Sequence, residues 1–160
     1  MTTLISALED AVLVEYGEFS IIDPEGAEDT DAEAFSSSWN KETDPGAWLT
    51  TSDNMLMVQS MHNMHTTVCT LQLWSAAPPS LELLESEVAE YSFYSSSGQV
   101  QLEEMMGSEE EHPSFDLGSR NSKWIVRAYR IQSSASDQTS DIDEHFESYF
   151  FQFWLNPDQR

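Results

Sequence analysis

The chain has 160 residues, within the about 100–200 typical of one domain, and carries 29 Asp and Glu against 6 Lys and Arg, a net charge of −23. Phosphate contacts need Lys and Arg, so this balance argues against direct nucleic-acid binding, and a lone cysteine, Cys69, excludes a disulfide scaffold. No run reaches the about 18 apolar residues of a membrane span, and 5 Trp, 5 Tyr and 8 Phe are the aromatics of a packed core rather than of a disordered acidic tail.

The N-terminal segment has no basic n-region, and Glu9 and Asp10 interrupt its apolar run, so no secretory signal is expected. With one free thiol, the expected location is the cytoplasm. Residues 12–22 alternate in two registers: Val12, Val14 and Tyr16 share one parity, Phe19 and Ile21 the other. Gly17 lies at the switch, and the pattern predicts one strand with a β-bulge there. Residues 23–46 read as a long acidic loop, opened by the turn signal Asp23-Pro24-Glu25-Gly26, with room for a short helix over 30–38.

Residues 55–61 and 66–74 read as a strand pair linked by His62-Asn63-Met64-His65, with Thr67, Cys69, Leu71 and Leu73 on one face of the second strand. Leu81 to Val88 has room for one or two helical turns. Residues 87–94 and 99–103 flank Ser95-Ser96-Ser97-Gly98, a second hairpin signal. Residues 104–121 are irregular, 123–131 form a clean strand, 132–147 are polar and acidic, and 148–155 form the last strand, closed by Asn156-Pro157. Six or seven short strands with few helical stretches point to an all-β fold: a single-domain antiparallel β-sandwich with a long acidic loop after the first strand.

The charge is uneven. Residues 1–119 hold 23 of the 29 acids and one base, Lys41; residues 120–160 are nearly balanced. Two runs concentrate it: Asp23, Glu25, Glu28, Asp29, Asp31 and Glu33, and then Glu103, Glu104, Glu109, Glu110 and Glu111. A field of this sign repels nucleic acid and anionic lipid and attracts basic proteins. Carboxylates laid over a nuclease's basic groove would compete with its substrate and meet it by steered association. Both runs are expected on one contiguous surface. The rival readings are an acidity that is only surface or halophilic adaptation, and a carbohydrate-binding or hydrolysing sandwich using carboxylates and aromatics.

Other chemistries find less support. Asp29-x-Asp31-x-Glu33 offers alternating oxygens, but Ala34 stands where an EF-hand loop needs glycine. Met55, Met57, Met61, His62, Met64, His65 and Cys69 gather soft ligands suited to copper(I), although Met55, Met57 and Met61 share a parity expected in the core, and His62 and His65 fall on an exposed turn. Cys69 sits mid-strand as a small hydrophobe. There is no Gly-x-Ser-x-Gly elbow and no phosphate loop. No cofactor, metal or catalytic residue is expected. Trp39, Trp48, Trp74, Trp124 and Trp154 read as core. Arg127 and Arg130 have opposite parity on one strand, so one must face inward and pair with an internal acid.

Four segments carry a resemblance. Glu15-Tyr-Gly-Glu-Phe-Ser-Ile-Ile-Asp looks like a first strand of the form hydrophobic, Gly, Gln or Glu, aromatic, any residue, hydrophobic. Residues 88–102 resemble a strand-turn-strand with Ser-Gly at the corner. Trp124-Ile-Val-Arg-Ala-Tyr and Glu147-Ser-Tyr-Phe-Phe-Gln-Phe-Trp-Leu resemble a late strand and a closing E-x-Y-x-x-Q-x-W-P strand, with Leu155-Asn156 before Pro157 in place of the closing Pro. Together, about a quarter of the chain is similar to small bacterial β-sandwich proteins, among them the competence-associated nuclease inhibitor. That resemblance implies an acidic, non-enzymatic sandwich that binds and blocks a nuclease. The function expected is therefore a non-catalytic acidic protein that docks on and inhibits a basic partner, a nuclease-type toxin or other nucleic-acid-handling protein, of the immunity or DNA-mimic type.

Overall fold

The computed structural model describes residues 2–29, 47–81, 86–106, 111–132 and 147–157. The expected helix over 30–38 and most of the predicted acidic loop lie outside them.

Strand β1 (Leu4–Glu15) and strand β2 (Glu18–Ile22) are joined by Tyr16-Gly17, whose φ angles of 56° and 75° are the left-handed pair that a two-residue hairpin turn needs. This corrects the single bulged strand expected over 12–22. The parity switch around Gly17 is a reversal of the chain, so Val12 and Val14 before it and Phe19 and Ile21 after it all reach the interior. The two strands pair only at Glu15 and Glu18 and then separate. β1 runs antiparallel to β5 (Met64–Trp74); β2 lies between β4 (Met55–Gln59) and β7 (Gln99–Glu104).

Helix α1 (Pro24–Asp29) follows β2. Asp23 precedes it and accepts from Gly26 N–H at 3.0 Å, and Pro24 holds the first helical position, where its missing N–H costs nothing. β3 (Leu49–Ser52) pairs with β4; β6 (Ser86–Ser95) pairs with β9 (Ser122–Gln132); β8 (Phe115–Asp116) pairs with β7. β10 (Glu147–Leu155) is wedged between β5 and β9. The strand order is β3-β4-β2-β1-β5-β10-β9-β6, with β7 and β8 branching from β2. All ladders are antiparallel except β5–β10, which is parallel and departs from the fully antiparallel expectation.

Neither expected hairpin has its strands paired to each other. β4 and β5 belong to different ladders, as do β6 and β7, so residues 60–63 and 96–98 are corners across which the chain changes neighbours. Gly98 serves the second corner at φ 79°, and a Cβ there would meet Ser119 O at 2.4 Å. The fold is almost all β, and the sheet curls until its ends nearly close into a barrel. Asn54 N–H, between β3 and β4, donates to Tyr94 O of β6 at 2.8 Å, and Arg130 Nη1 of β9 donates to Gln59 O at 2.8 Å.

Inside lie Phe19, Ile21, Leu56, Leu71, Leu102, Val126, Phe151 and Phe153, all essentially inaccessible. The Phe19 ring meets Tyr149 edge-on with centroids 5.1 Å apart. Thr67, Cys69, Leu71 and Leu73 are buried along one face of β5. On β4 the interior is taken by Leu56 and Val58, which leaves Met55 and Met57 half-buried on the other face and corrects their expected place in the core.

Candidate functional site

The two acidic runs leave the β2–β7 ladder at opposite ends. Ile22 pairs with Gln101 and Phe19 with Glu104, so the chain after Asp23 starts where β7 begins, and Glu103–Glu104 stand where it finishes, roughly 10 Å further at about 3.3 Å per residue. The described ends of the two runs therefore stand apart along the sheet, and most members of both runs lie outside the described residues. Asp23 has no accessible surface at all, which removes it from any docking role. Its Oδ1 accepts from Gly26 N–H and from Ser97 Oγ at 2.7 Å, and its Oδ2 accepts from Ser95 Oγ at 2.6 Å and Ser97 N–H at 2.7 Å. Burial works to raise its pKa, yet these bonds from Ser95, Gly26 and Ser97 prevail and hold it below the ordinary value. Glu25 is exposed and accepts from Arg120 Nη2 at 2.6 Å. Glu28 and Asp29 belong to α1, but their side chains lie outside the description, as do residues Asp31, Glu33, Glu109 and Glu110.

The other run builds a site with partners from elsewhere in the chain. His112 lies between Asp10 of β1, whose Oδ2 is 2.6 Å from Nδ1, and Glu104 of β7, whose Oε2 is 3.0 Å from Nε2. Two carboxylate acceptors call for two ring N–H groups, so the imidazole is held as its cation. Burial opposes that charge, but the bonds to Asp10 and Glu104 outweigh it and raise the pKa above 6.5. Glu104 Oε2 also accepts from Leu13 N–H at 3.3 Å, and Glu15 accepts from Met106 N–H at 3.2 Å, which ties β1 to the end of β7. Half-buried Glu103 has a raised pKa through desolvation, which His112 counteracts in part. Exposed Glu111 adjoins His112 in sequence. Asp10, Glu15 and His112 are absent from the sequence-based site. Asp10 carried a usable signal, since a carboxylate on the parity of Val12 and Val14 must find a partner inside.

A second polar cluster resembles a catalytic one. Ser60 Oγ lies 2.9 Å from His65 Nε2 and donates to Glu147 Oε1; His65 Nε2 is 3.3 Å from the same carboxylate oxygen. His65 and Glu147 are buried, which corrects the exposed turn expected for His65; His62 meets its ring edge-on at 5.5 Å. The geometry is not that of a serine hydrolase, because Ser60 and Glu147 crowd one ring nitrogen instead of taking one each. Ser60 Oγ also accepts from His62 N–H at 3.0 Å, so its proton and lone pairs are engaged. Burial would raise the Glu147 pKa, but His65, Ser60 and Met61 N–H bring it down to about 2, which makes it a feeble base near neutrality. Arg130, the inward arginine of β9, pairs with Glu87 at 2.6 Å and lies 3.9 Å from Glu147. The cluster clasps the 60–63 corner to β5, β9 and β10.

Cys69 is fully buried, and its thiol is pushed up by desolvation and by Asp10. Among the described residues no group of three or more His, Cys, Asp or Glu is arranged to hold a metal ion, and no helix is long and apolar enough to cross a membrane.

The fold defines an almost all-β protein with a carboxylate-rich edge between β1 and β7. No family model matches the chain, and no curated protein matches it. A solved structure named "Crocagin biosynthetic gene J" is similar over 94% of this chain and 97% of that one, with a TM-score of 0.52 and 14% identity. At that identity the likeness shows the fold alone.

Proposed function

We propose that this protein is a non-catalytic acidic binding protein that docks on a basic partner, a nuclease-type toxin or other nucleic-acid-handling protein, and inhibits it by covering its phosphate-binding groove. The observation that carries this reading is the β1–β7 edge, where Asp10 and Glu104 hold His112, Glu103 interacts with it, Glu111 adjoins it in sequence and Glu15 accepts from Met106 N–H, in a chain whose first 119 residues hold 23 acids and one base. Such an edge concentrates negative potential toward a Lys/Arg-lined groove. The saturated Ser60 hydroxyl and the low Glu147 pKa favour binding over catalysis. The proposed frame is a β-sandwich of the kind that its four segments resemble, with the acidic stretch after β2, working in the cytoplasm.

The test is calorimetry against a panel of basic nucleases and nuclease toxins, with a basic non-nuclease as control. Binding should weaken steeply above about 0.15 M salt, where surface charges are screened beyond about 8 Å. The combined Glu103→Gln, Glu104→Gln and Glu111→Gln substitution should weaken it at least tenfold, and duplex DNA should compete. Absence of binding at low salt, or binding indifferent to these substitutions, refutes the proposal.

A further inference from the structure

Four of the exposed apolar side chains gather at one tip of the molecule: Tyr16 is 70% exposed, Met61 63%, Met64 61% and Met106 70%. The chain brings them together by specific contacts. Gly17 N–H donates to Asn63 O at 2.8 Å, and Ser60 N–H donates to Gly17 O at 2.7 Å, so the β1–β2 turn is fastened to the corner over 60–63. Tyr16 and Met61 line the same open cleft of about 320 Å³, together with Glu18, Gln59, Ser60 and His62. Met64 lies directly across from Glu15 in the β1–β5 ladder, and Glu15 accepts from the backbone N–H of Met106.

Folding does not explain this tip. Tyr16 occupies the left-handed region at φ 56°, where an aromatic residue is strained and Asn or Gly would serve the turn better, and its ring contributes little to the core because most of it is in solvent. Methionines are flexible and polarizable, and on a surface they suit apolar partners of varied shape. Glu15 and Glu18 lie across from each other in the β1–β2 ladder, and Glu18 lines the cleft beside Tyr16 and Met61. An apolar surface interleaved with carboxylates is complementary to a segment that carries apolar and cationic side chains together.

We infer that the tip receives a basic amphipathic peptide segment of the partner protein. An apolar residue of that segment seats among Tyr16, Met61 and Met64, and its Lys or Arg side chains lie on Glu15 and Glu18. The inference rests on the acidic docking reading and gives it a partner class: charge brings the partner in along the β1–β7 edge, and the tip selects segments that also carry apolar residues. An anionic membrane shares the amphipathic character of such a segment but has the wrong sign of charge.

The experiment compares three fluorescent synthetic peptides by anisotropy at about 50 mM salt, where surface charges still act over more than about 10 Å: one of Leu and Lys in amphipathic order, one with every Leu replaced by Ser, and one with every Lys replaced by Glu. The Leu/Lys peptide should bind at least tenfold more tightly than the Ser/Lys peptide. The combined variant Tyr16→Asn, Met61→Ser and Met64→Thr should remove that margin while keeping the Ser/Lys affinity and the melting temperature. Equal affinity for the two basic peptides overturns the tip and leaves charge-driven docking standing. Binding of neither overturns both. Equal binding of the Leu/Glu peptide, binding to anionic vesicles, or a margin that survives in the variant overturns the tip alone.

Discussion

The substitution Asp23→Ala separates an internal, structural carboxylate from a surface one. The side chain caps α1 through Gly26 N–H and holds three groups of the 95–97 corner, the Ser95 and Ser97 hydroxyls and Ser97 N–H. Loss of a cap costs about 0.5–2 kcal/mol, and each buried group left without its acceptor costs about 1–3 kcal/mol. Partial repair among the serines keeps the sum near 3–5 kcal/mol, a large part of the about 5–15 kcal/mol that holds a domain together. Asp23→Asn keeps the carbonyl for Gly26 but turns an amide donor toward Ser97 N–H, so it should cost about half as much. Urea unfolding followed by tryptophan fluorescence reads both from their midpoints. Because Asp23 has a lowered pKa, its contribution is present above the ordinary carboxylate pKa and is lost as pH falls through the lowered value. The Asn variant should therefore have a flatter acid limb than the wild type. A change within about 0.5 kcal/mol for Asp23→Ala, the size of an ordinary surface substitution, would refute the buried-clamp argument.

Glu147, brought from 4.5 to about 2, contributes stability above pH 4.5 that is lost between there and about pH 2, an effect of about 3 kcal/mol. Stability measured against pH should lose that acid step in Glu147→Gln, and an unchanged step would contradict the clasp. His112 has the opposite sign: its raised pKa means that its stabilisation is complete below pH 6.5 and is lost as pH rises through the raised value. NMR titration of the ring should give a midpoint above 6.5, and His112→Gln should abolish the alkaline decline in stability; a midpoint at or below 6.5 would break the two-carboxylate argument.

Local pattern made the strands legible, and long-range pairing stayed hidden. The period-two alternation over Thr67, Cys69, Leu71 and Leu73 identifies the buried face of β5, because one-sided burial leaves that trace in any sequence. Alternation has no term for the partner, so β4 and β5 looked like a hairpin although each pairs with strands elsewhere. The expected turn at Asp23-Pro24-Glu25-Gly26 is instead the start of helix α1, because a capping carboxylate and a surface carboxylate have the same sequence signature until the serines of residues 95–97 arrive from 72 and 74 positions away. The His112 site was illegible for a related reason. Its two carboxylates sit 102 and 8 residues from the ring, and only the packing of β1 against the end of β7 brings them together.

The parallel pairing of β5 with β10 bears on how the chain is made. β10 is the last described strand, and it fills the slot between two strands that are synthesised earlier. Until it emerges from the ribosome, β5 and β9 each present a row of unsatisfied amide and carbonyl groups, the kind of edge that recruits strands from other chains. Repulsion between neighbouring acidic nascent chains is a ready safeguard through that interval, so the net charge of −23 guards the chain during its synthesis.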